Sequence, residues 1–162
     1  MQKITSGLLA ILGILLFTVA AHAEKLVVKG FYVGMPVQEA KNIIAKDYAG
    51  FLTKGFSTTE VTDNKEFNIV RADGQGMHDY IKFFVKKADG KIYDIRMGPG
   101  LVDKLFNIAG VEGLKFKEDF MKMHQIPKMD FDGNGWKYTS PEGYEVMLNN
   151  EKSLILRATS IK

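Results

Sequence analysis

Between Phe56 and Met97, apolar and polar residues alternate in short runs separated by turn formers, the period-two pattern of antiparallel strands. The pattern predicts strands over 56–62, 67–71, 80–86 and 91–97, with turns at Asp63-Asn64-Lys65, at Ala72-Asp73-Gly74-Gln75-Gly76 and at Ala88-Asp89-Gly90. The Asp89-Gly90 pair is a strong hairpin signal, because both residue types tolerate the positive φ of a tight two-residue turn. Alternation places Ile81, Phe83 and Val85 on one side with Tyr93, Ile95 and Met97. It leaves Lys82, Phe84, Lys86, Asp94 and Arg96 on the other.

Ahead of these strands the period changes. Residues 26–28 and 31–33 are rich in β formers and predict a short strand, and then Val37, Ala40, Ile44 and Tyr48, with Ile43 beside them, recur at helical spacing. Pro36 suits a first helical position, and Glu39 in the first turn complements the helix dipole. After the break at Gly98-Pro99-Gly100 the same order recurs. Short helices are predicted over 101–108 and 116–124, the second burying Phe116, Phe120 and Met123, followed by strands over 128–131, 136–139, 144–148 and 154–161. Gly34-Met35-x-Val37 parallels Gly113-Leu114-x-Phe116, and Lys91 to Arg96 parallels Lys152 to Arg157. We therefore expect an α+β domain, with helices on one face of an antiparallel sheet, built as two tandem helix-plus-four-strand units over 24–98 and 101–162.

Residues 1–23 stand outside that domain. Lys3, the apolar run from Gly7 to Ala20 and the small residues of Ala21-His22-Ala23 predict a signal peptide cleaved after Ala23, so that the mature chain is periplasmic or secreted. The chain has no cysteine, which removes both a lipidated N-terminal cysteine and disulfides. No membrane anchor is then expected after cleavage, and the domain must hold together by its core. Without Lys3 the 22 basic residues become 21 against 19 acidic ones, with the signs interleaved. That balance lends no support to nucleic-acid binding.

One stretch proposes a chemistry. Asp130, Asp132 and Asn134, followed by Gly135, match positions 1, 3, 5 and 6 of a calcium loop, but position 12 is Pro141 and a strand-like run follows where a helix is required. The same residues read as a hairpin turn between Phe131 and Trp136, a reading supported by the similar texture of Asp73-Gly74-Gln75-Gly76. No metal or other cofactor is called for. Beyond the leader, the histidines are His78 and His124, neither in a zinc spacing nor beside a nucleophile motif, so no catalytic residue is assigned. The expectation is a non-enzymatic module binding another protein. Its alternative is a periplasmic hydrolase, or a calcium-dependent protein using the Asp130 to Asn134 loop. Lys82, Phe84, Arg96, Met147, Ile155 and Arg157, together with Tyr80, alternate with the expected core positions and form the candidate partner-binding face.

The phrase Gly30-Phe31-Tyr32-Val33-Gly34-Met35-Pro36-Val37-Gln38-Glu39-Ala40 resembles the helix start of small envelope proteins of the SmpA/OmlA (BamE) type. The repeated helix-then-sheet order resembles the β-lactamase inhibitor protein architecture, in which tandem units form one curved sheet. The resemblance implies an inhibitor or envelope-assembly role. This chain lacks the lipoprotein cysteine of the first group and the disulfide cysteines of the second, and no functional residue is carried over.

Overall fold

The computed structural model describes residues 25–48, 56–60, 64–70 and 78–160, the side chains of 56–60 and 64–70 excepted. The expected leader and the Asp73 to Gly76 loop lie outside them. The elements run α1 (Val37–Asp47), β1 (Phe56–Glu60), β2 (Asn64–Val70), β3 (Tyr80–Lys86), β4 (Ile92–Met97), α2 (Pro99–Phe106), α3 (Gly113–Met123), β5 (Asp130–Phe131), β6 (Trp136–Thr139), β7 (Tyr144–Leu148) and β8 (Leu154–Ala158). The strands form one eight-stranded antiparallel sheet in the order β1-β2-β3-β4-β8-β7-β6-β5. Each group of four is a meander, and the last strand of one pairs with the last strand of the other.

The protein is thus α+β, with the helices on one face of the sheet. Ala40 and Ile44 of α1, Leu101 and Val102 of α2, and Phe116 and Phe120 of α3 share one buried cluster with Ile81, Phe83, Val85, Ile95, Met97, Val146, Leu148, Leu154 and Leu156. Aromatic rings fill much of it: Phe106, Phe116 and Phe120 lie 5.2 to 6.0 Å apart, edge-on or tilted.

Several elements depart from the sequence pattern. Residues 26–33 form no strand; Val28 and Phe31 pair with each other across Lys29 and Gly30, whose φ values are 53° and 90°. This tight turn drops Phe31 into the core, 5.6 Å from the Phe83 ring and 5.8 Å from Tyr48. Pro99, expected to break the chain, starts α2, because its fixed φ suits the first turn and its missing N–H costs no hydrogen bond there. β2 begins at Asn64, inside the expected turn. On α3, Met123 is exposed, and His124 occupies the position four residues after Phe120, its ring 4.4 Å away. The two segments paralleled in the sequence also differ in packing: Met35 is fully buried, whereas Leu114 is exposed on α3.

A bulge corrects the facing of β4. Phe84 pairs with Asp94 but Val85 pairs with Ile92, so Tyr93 is the extra residue. Ile92 is therefore fully buried, and Tyr93 stands with its ring 6.2 Å from that of Phe84, on the face opposite the core. Truncating Ile92 to Ala should cost about 2 to 5 kcal/mol, as expected for a buried aliphatic side chain. Tyr93→Ala should cost less than about 1 kcal/mol. Urea melts of the two variants check the order, and an equal loss would place Tyr93 in the core.

Candidate functional site

The sheet face away from the helices is crossed by two rows of side chains. Lys82 of β3 pairs with Arg96 of β4, Arg96 with Ile155 of β8, Ile155 with Met147 of β7, and Met147 with Lys137 of β6. The second row runs Phe84, Asp94, Arg157, Glu145 and Thr139 across the same strands. All six residues expected on the partner-binding face stand in these rows.

They do not form one cluster. Phe84, Arg96 and Arg157 share a hollow of about 430 Å³ with Tyr93, Asp94 and Glu145. Met147 and Ile155 line a neighbouring hollow of about 220 Å³ beside Trp136. Lys82 belongs to neither and lies with its ammonium 5.6 Å from the Tyr80 ring.

Charge pairing fixes the larger hollow. The Arg96 guanidinium donates to Asp94 through Nε (3.0 Å) and Nη2 (2.9 Å), and its carbon lies 4.6 Å from the centre of the Phe84 ring. Arg157 Nε donates to Glu145 Oε2 at 2.6 Å, and Lys137 Nζ lies 2.8 Å from Glu145 Oε1. The carboxylates are sunk: the side chains of Asp94 and Glu145 are 7% and 11% exposed, against 43% and 41% for Arg96 and Arg157. A buried charge is tolerated only when paired and hydrogen-bonded, and each of these carboxylates has its cation above it. The hydrogen bond from Lys137 holds the Glu145 carboxyl below the usual carboxylate range, against the opposing effect of burial, with Arg157 adding to the depression.

Sequence alternation had placed Asp94 on this face without a role, and it missed Tyr93, Lys137 and Glu145. Tyr93 depends on a bulge that no local signal announces. Glu145 was within reach, because it lies two residues from Met147 on the same strand and must share its face.

In the stretch 130–135, residues 132–135 form the turn between β5 and β6. Asp132 Oδ1 accepts the backbone N–H groups of Asn134 (3.0 Å) and Gly135 (3.2 Å), and the Asp132 N–H donates to the Gly135 carbonyl at 3.0 Å. Gly133 takes φ +94°. At Gly135 a Cβ would sit 2.3 Å from the Leu148 carbonyl oxygen, so glycine is needed there for close approach. Asp130 pairs with Lys128 at 2.5 Å. Among the described residues, no three His, Cys, Asp or Glu side chains gather as a metal site would require.

Of the histidines, His78 is exposed, and its carbonyl accepts the N–H groups of Gly100 and Leu101 at the start of α2. His124 is partly buried, and burial pushes its imidazole pKa down, with Lys29 adding to the effect.

Comparison with family models, curated proteins and solved structures finds no match to this chain.

Two outcomes follow from this geometry. Glu145 has a depressed pKa in the folded state, so its contribution to stability is present above pH 4.5 and is lost as the pH falls through the lower folded value. The stability difference between the native chain and Glu145→Gln should therefore be largest near neutrality and shrink below pH 4.5. A difference that is flat with pH would contradict the pairing. Asp132→Ala, which frees two turn N–H groups, should lower stability by about 1 kcal/mol, and by the same amount with calcium as without it. A bound calcium ion at a hundred times its dissociation constant would add about 2.7 kcal/mol, so a calcium-dependent rise in Tm abolished by Asp130→Ala would establish the metal reading.

Proposed function

We propose that this chain is a secreted or periplasmic, non-enzymatic protein-binding module, of inhibitor or envelope-assembly type, whose open sheet face receives another protein. The observation that carries the reading is the composition of the two rows. Phe84, Tyr93, Met147 and Ile155 stand uncovered by any described element and are interleaved with Arg96 and Arg157. Aromatic and arginine side chains of this kind supply most of the energy at protein interfaces. They stand on a rigid sheet, and the guanidiniums are held by sunken carboxylates, so little side-chain freedom is lost on binding. Lys3, the apolar run from Gly7 to Ala20 and the small residues of Ala21-His22-Ala23 support export, and among the described residues no helix is long and apolar enough to cross a membrane. The resemblance of residues 30–40 to envelope proteins of the SmpA/OmlA type agrees with that location. In this reading the two meanders are tandem units sharing one sheet.

The test is site-specific photocrosslinking in the periplasm, with the crosslinker at Phe84, at Met147 and, as a control, at the exposed Lys122 of α3. The expected result is one identified protein captured from both face positions and absent from the control. Phe84→Ala and Arg157→Ala should then weaken the purified complex by about 1 kcal/mol or more. Equal capture at Lys122, or full binding by both variants, would remove the proposal. Turnover of a small substrate by the purified chain would favour the hydrolase alternative.

A further inference from the structure

The open face carries its charges at two depths. Asp94 and Glu145 lie underneath, each engaged by cations, and what meets solvent above them is guanidinium. Glu145 is shared between Lys137 and Arg157, so among the described side chains these three cations, Arg96 on Asp94 included, stand over two carboxylates and leave one positive charge in excess. Arg157 is where that excess is usable. Its one hydrogen bond within the described residues runs from Nε, at 2.6 Å, while its side chain remains 41% exposed. A guanidinium tied down by Nε still presents the Nη1 and Nη2 pair at its far end, a planar fork whose spacing matches the two oxygens of a carboxylate. Nothing among the described residues occupies that fork. It opens into the 430 Å³ hollow whose other walls include the Phe84 and Tyr93 rings and the Arg96 guanidinium.

We propose that this hollow recognises an Asp or Glu side chain of the partner protein, with the carboxylate seated on the Nη1/Nη2 fork of Arg157 and the adjoining residues of the partner against Phe84 and Tyr93. The proposal rests on the reading of this face as the protein-binding surface and adds the chemistry of its occupant. A cationic partner residue is disfavoured, because the carboxylates it would need are covered and already engaged. A polyanionic track would require a run of cations following a backbone, whereas here the excess charge sits at one hollow between aromatic walls. The hollow at Met147, Ile155 and Trp136 lies alongside and suits an apolar residue of the same partner segment.

The experiment is selection of linear peptides from a random display library on the immobilised purified chain, followed by anisotropy titrations of the most enriched peptide. We expect an invariant Asp or Glu flanked by apolar residues. Changing that acid to its amide should weaken binding to the native chain by about tenfold or more, the range for a hydrogen-bonded charge. The same peptide change should have almost no further effect on Arg157→Gln, whose fold is protected because Lys137 still pairs with Glu145. Arg157→Lys, which keeps a charge but lacks the fork, should recover only part of the affinity. Suppose instead that Phe84→Ala weakens the peptides while they carry no acid, or that the acid-to-amide change costs as much in Arg157→Gln as in the native chain. Then the carboxylate inference falls and the sheet-face reading stands. Enriched peptides indifferent to both Phe84→Ala and Met147→Ala, or no enrichment at all, would overturn both.

Discussion

The pairing of β4 with β8 is the contact on which the rest of the molecule depends. It is the seam between two meanders, and it sets Ile95 beside Leu156 and Met97 beside Leu154 on the helix side. On the other side the remaining two of its four residue pairs set Asp94 beside Arg157 and Arg96 beside Ile155. Because side chains alternate strictly along a strand, a slip of one residue would turn Arg157 into the apolar cluster and Leu156 out of it. The register is therefore specified twice, by burial on one face and by charge on the other. The common core of all three helices and the arrangement of the open face follow from one ladder.

The core and the open face solve different physical problems. The chain has no cysteine, so its compactness rests on burial of large side chains, among them Phe31, Phe83, Phe116 and Phe120. The open face has no such cluster to order it. Its long cationic side chains are oriented instead by two carboxylates too deep to be solvated alone. Removing Glu145 would release Arg157, and removing the cations would leave an acid stranded near the sheet. The bulge at Tyr93 belongs to the same arrangement, since it adds an aromatic wall to the hollow while keeping Ile92 in the core.

Regular alternation made β3, β6 and β7 legible to the residue: Tyr80–Lys86, Trp136–Thr139 and Tyr144–Leu148 coincide with the strands predicted from sequence. The same rule placed Phe84, Arg96 and Arg157 on one face. It failed where a single residue breaks the period, at Tyr93, and where a tight turn replaces a strand, between Val28 and Phe31. In the second case Val28 and Phe31 were real core residues, but a hairpin of this size pairs only with itself. Met123 was misplaced because a stripe at i, i+4 and i+7 and one at i, i+4 and i+8 fit the same sequence, and packing against Phe120 selects the latter. The ion pair of Arg157 with Glu145 was not legible, because the two meet only after the turn between β7 and β8 has fixed their register.

The strand order also bears on how the molecule assembles. Every strand pairing but one joins neighbours in sequence, so each meander can grow hairpin by hairpin with short loops and small entropic cost. The exception is the seam, which closes only when β8 returns across the whole of residues 98–153 to find β4. Until then the apolar edge of each half is open, and the half-formed chain presents two unpaired strands able to pair with another copy. The interval before the seam closes is then the period in which this protein is most exposed to misassembly.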